Sequence, residues 1–69
     1  MASIVIHRVD TQAIPPLAVI YDAPGDCLHI WCETLANLRK QGFVVYEDLE
    51  GKYATATGGD IELEVYIEQ

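Results

Sequence analysis

The amino-acid sequence predicts an α+β domain, a small and mainly antiparallel β-sheet in β-β-α-β-β-β order with one α-helix packed across one face. Three observations predict it. The segment Ile61 to Glu68 alternates apolar and non-apolar residues with period two, as a half-buried strand does. The segment Cys27 to about Gln41 repeats apolar residues at three-four spacing, as an amphipathic helix does. The other apolar runs are short, rich in β-branched residues and separated by Gly, Pro and Asp. With 69 residues there is material for one core, so residues 1–69 form a single domain.

Ser3 to Val9 reads as the first strand. Asp10 to Pro16 is a connection, because Pro15-Pro16 forces an extended, non-helical backbone. Leu17 to Tyr21 is a near-continuous apolar run, read as a strand buried on both faces. Asp22-Ala23-Pro24-Gly25 is turn chemistry, and Asp26 can then cap the helix by accepting hydrogen bonds from first-turn N–H groups. Leu28, Trp31, Leu35 and Leu38 form the expected apolar stripe of that helix. Arg39 and Lys40 suit its C-terminal dipole, and Gly42 can take the left-handed terminating conformation. Phe43 to Leu49 and Lys52 to Thr57 read as two strands joined by a tight hairpin at Glu50-Gly51. Gly58-Gly59-Asp60 turns the chain into the last strand, which sets Ile61, Leu63, Val65 and Ile67 on one face and Glu62, Glu64, Tyr66 and Glu68 on the other.

Eleven acidic residues against four basic ones give a formal net charge of −7. Non-specific nucleic-acid binding rests on Lys and Arg neutralising phosphates, so direct binding to nucleic acid is not expected. No basic amphipathic stretch is present to hold an anionic membrane surface, and no apolar run approaches the roughly 20 residues of a membrane span. The N-terminus lacks the charged-then-apolar order of a secretory signal, so the expected location is the cytoplasm. The acidity is concentrated late in the chain, at Glu47, Asp48, Glu50, Asp60, Glu62, Glu64 and Glu68.

Cys27, His29 and Cys32 resemble a metal-ligand cluster in composition alone. At about 100° per residue, Cys27 and His29 project roughly 200° apart on a helix, so the three cannot converge on one ion. Residues five apart on a helix also have Cα atoms about 8–9 Å apart, beyond disulfide reach. No phosphate-binding glycine loop or nucleophile elbow is present, and neither a cofactor, a metal nor enzymatic activity is expected.

In size, charge and architecture the chain resembles the small acidic inhibitors of phages and mobile elements, anti-CRISPR proteins among them. The resemblance carries no residue over. It implies a non-enzymatic, anti-defence protein that occupies a basic nucleic-acid-binding surface of a host protein. The residues expected to dock are Glu62, Glu64 and Glu68 with Tyr66, joined by Glu47, Asp48, Glu50 and Tyr46 from the neighbouring hairpin. The alternative is a self-associating assembly module or antitoxin-like partner domain, a homodimer through a sheet edge being compatible with the pattern.

Overall fold

Two hairpins and a final strand make a five-stranded antiparallel sheet, crossed on one face by a single helix. The computed structural model describes residues 2–11, 15–21 and 27–68. The elements are β1 (Ser3–Arg8), β2 (Ala18–Tyr21), α1 (Cys27–Lys40), β3 (Val44–Glu47), β4 (Tyr53–Gly58) and β5 (Ile61–Glu68). Strand order is β2-β1-β5-β4-β3 and every neighbouring pair is antiparallel. The α+β class and the β-β-α-β-β-β order are those the sequence predicts. The first and last strands lie side by side at the centre, and β2 and β3 are the two edges, joined through α1.

The period-two pattern decides which side the helix covers. Ile4 and Ile6 of β1, Leu63 and Val65 of β5, and Ala54 and Ala56 of β4 form one cluster with Trp31, Leu35 and Leu38 of α1. Ala18, Ile20, Phe43, Val45, Ile61 and Ile67 pack around its margin. Setting Trp31 in the same cluster as two alanines combines the bulkiest side chain with the smallest, which lets a helix lie close on a sheet. Gly58 shows the same economy of space. A Cβ there would stand 2.8 Å from the Phe43 ring, so the ring occupies the room a side chain would need.

Several local expectations hold. Gly42 ends the helix with φ +100, and Gly51 and Gly59 supply the left-handed backbone of the two later hairpins. The Gly59-Asp60 turn has positive φ at its first residue alone, the pattern of a type II′ hairpin. Others are corrected. β2 is not buried on both faces. As an edge strand covered on the helix side only, it alternates half-buried Ala18 and Ile20 with exposed Val19 and Tyr21. Leu28 does not belong to the buried stripe, being 69% exposed. The core cluster begins one turn later, and Thr34 joins Trp31, Leu35 and Leu38 on the buried side. The β3–β4 connection is a five-residue loop, 48–52, rather than a tight turn at Glu50-Gly51. The expected turn at Asp22-Ala23-Pro24-Gly25 and the Asp26 cap lie outside the described residues.

Candidate functional site: the uncovered sheet face

No described element covers the second face of the sheet. Alternation places Ser3, Val5 and His7 of β1 on it, with Val19 and Tyr21 of β2, Glu62, Glu64, Tyr66 and Glu68 of β5, Tyr53, Thr55 and Thr57 of β4, and Val44 and Tyr46 of β3. Strand register orders these side chains into rows. One row runs Val19, Val5, Tyr66, Tyr53. The next runs His7, Glu64, Thr55, Tyr46, and a third sets Glu62 beside Thr57 and Val44. Val5 is only 3% exposed although it points away from the helix, so its row neighbours shield it.

The chemistry of this face is aromatic and anionic. The His7 and Tyr66 rings stack with centroids 5.8 Å apart and planes inclined by 7°. Burial, the negative charge of Glu64 and a hydrogen bond donated to the Glu64 carboxylate together raise the Tyr53 phenol above its ordinary value. Glu62 and Glu68 are exposed and Glu64 is half-buried beside the tyrosines. The strands contribute no Lys or Arg to the face. Arg8 falls on the opposite side of β1, where its guanidinium grips Asp10 at 2.8 and 3.0 Å and holds that carboxyl below the usual range.

The residues expected to dock are thus divided by the structure. Glu62, Glu64, Tyr66, Glu68 and Tyr46 share the uncovered face, Tyr46 being 68% exposed. Glu47 cannot share it, because it follows Tyr46 directly on a strand and points to the helix side. There it accepts a hydrogen bond from the Trp31 indole Nε1 at 3.2 Å and faces the Arg39 guanidinium at 3.5 Å. Asp48 and Glu50 sit in the β3–β4 loop, where the Asp48 carboxylate accepts the Glu50 N–H at 3.2 Å. Val19, Val44, Tyr53 and His7 join the face although nothing in the linear reading singled them out. Their placement depends on strand order, which periodicity alone does not supply.

No family model, curated protein or solved structure matches the chain. The fold and this surface are therefore what bear on its function. Among the described residues, no group of His, Cys, Asp and Glu is placed to hold a metal ion, and no helix is long and apolar enough to cross a membrane. Cys32 is a free, exposed thiol, and the Cys27 side chain lies outside the described residues.

Proposed function

We propose that the protein is a non-enzymatic binding module whose uncovered sheet face docks on a basic surface of a partner protein. One observation supports this most: Glu62 and Glu64 share a face with Tyr46, Tyr53 and Tyr66, and the strands add no cation to it. Tyrosines supply contact area at low entropic cost, and the carboxylates steer a positive surface toward them. A surface lined with Lys and Arg to receive phosphate is the natural complement. The finer reading is an inhibitor that displaces nucleic acid from a host protein, in the manner of the anti-defence proteins it resembles.

The test is a nuclease-treated pull-down with the wild-type chain and the Glu62→Lys/Glu64→Lys variant. The variant keeps its circular dichroism spectrum, because both side chains leave the core untouched. The expected result is a basic nucleic-acid-handling protein that is held by the wild type, released at moderate salt, and not held by the variant. It must also lose its nucleic acid to the wild-type chain in competition. A folded variant that binds as well as the wild type sinks the reading. A second reading is self-association through a sheet edge, since β2 and β3 are each paired on one side only.

A further inference from the structure

Thr55 is the smallest side chain in its row on the uncovered face, and larger ones stand around it. Register sets Tyr46 of β3 opposite Thr55 on one side and Glu64 of β5 opposite it on the other. Tyr53 shares its face two residues earlier on β4. The Asp48 N–H bonds to the Tyr53 carbonyl, so Tyr46–Thr55 is likewise a hydrogen-bonded pair, with Cα atoms about 5.5 Å apart. The Ile67 N–H bonds to the Lys52 carbonyl, which makes Thr55–Glu64 a non-hydrogen-bonded pair at about 4.5 Å. Tyr46 and Glu64 therefore stand about 10 Å apart at their Cα atoms, with only a threonine between them.

One wall of this gap is a ring and the other a carboxylate. Tyr46 is among the most exposed aromatics of the chain. Glu64 is half-buried, and the Tyr53 phenol donates a hydrogen bond to its carboxylate. That bond restrains the carboxylate before any partner arrives, while its two oxygens retain acceptor sites. The four Lys and Arg side chains of the chain are placed elsewhere. Arg8 and Arg39 pair with Asp10 and Glu47, and Lys40 belongs to α1. Lys52 lies opposite Ile67, whose side chain packs on the helix side.

We infer that an arginine of the partner protein fills the gap over Thr55, its guanidinium flat against the Tyr46 ring and its N–H groups forked onto the Glu64 carboxylate. The inference rests on the docking face proposed above and names the group that this face selects. A lysine ammonium is a compact, strongly hydrated charge, and it would gain little here beyond attraction to Glu64. A guanidinium is planar and more weakly hydrated, so it can stack on an aromatic ring and bind a carboxylate through two donors at once. The gap offers those two partners on opposite sides.

The next row supplies a natural contrast. Glu62, Thr57 and Val44 repeat the same strand positions one pleat further along, with Val44 where the ring would stand. A cation there meets a carboxylate and a methyl surface, so charge attracts it but nothing distinguishes arginine from lysine. Preference for arginine thus belongs to the Thr55 row, and general attraction for cations to both rows.

The experiment titrates hexa-arginine and hexa-lysine, peptides of equal formal charge, into the isotope-labelled full chain at low salt and follows its amide resonances. Hexa-arginine should bind about fivefold more tightly, with its largest shifts at Tyr46, Thr55 and Glu64. Tyr46→Leu should bring the two affinities together, whereas Glu62→Gln should weaken both peptides and keep their ratio. Equal affinity of the wild type for the two peptides overturns the arginine seat yet leaves the acidic docking face standing. A preference for arginine that survives Tyr46→Leu overturns the seat as well. Peptides that shift only residues off the face, such as Glu33 in α1, remove both the seat and the docking face. Should Tyr46→Leu fail to fold, the wild-type affinity ratio and the positions of its shifts decide.

Discussion

Glu47 shows how one side chain can be claimed by the fold rather than by a surface. Trp31 is almost completely buried, so its indole N–H needs an acceptor, and the Glu47 carboxylate provides it at 3.2 Å. Glu47→Val leaves that donor unsatisfied and should lower stability by about 1–3 kcal/mol in denaturant melts, whereas Glu47→Gln keeps an acceptor and costs less. Tyr53 and Glu64 form a second informative pair. Because the native phenol sits above its ordinary value, the neutral form is favoured by folding. Its contribution is complete below the unfolded phenol pKa of about 10 and is lost as pH rises through the higher native value. Glu64→Gln removes the charge, so a near-ultraviolet titration should show Tyr53 ionising at lower pH than in the wild type.

At the scale of elements, α1 separates what a periodic pattern reveals from what it does not. Trp31→Ala should cost about 3–5 kcal/mol through cavity formation. Leu28→Ser, on the same nominal stripe, should stay within about 0.5 kcal/mol, because Leu28 is mostly exposed. Paired thermal melts of the two variants check both. The stripe from Trp31 to Leu38 and the alternation of β5 were legible in the sequence because each depends only on local geometry. Where a helix overhangs its sheet is a tertiary property, so Leu28 was not legible. The apolar run of β2 was ambiguous for a similar reason, since Ala18 to Tyr21 looks alike at an edge or at a centre. For the candidate site, Glu62, Glu64, Tyr66 and Glu68 were legible from alternation alone. Tyr53, His7, Val19 and Val44 needed the strand order, whereas the exclusion of Glu47 from the face of Tyr46 was already available from the same alternation, the two being neighbours on β3.

At the scale of the whole molecule, the central position of β5 governs how the structure can arise. Ser3 and Glu68 are partners in the β1–β5 ladder, and the Ser3 hydroxyl donates to the Glu68 carbonyl at 3.4 Å across 65 positions of chain. β1 with β2, and β3 with β4, can each close as a local hairpin. Nothing joins those hairpins into one sheet except β5, which pairs with β1 on one side and β4 on the other. Deleting residues 61–68 should therefore abolish cooperative unfolding, leaving two hairpins that are marginal in water; a calorimetric scan without a transition is the expected result. The same fact has a temporal side. Among these six elements a ribosome makes β5 last, so the nascent chain must hold its earlier apolar strands unassembled until β5 has emerged, and the sheet closes in one late step rather than strand by strand.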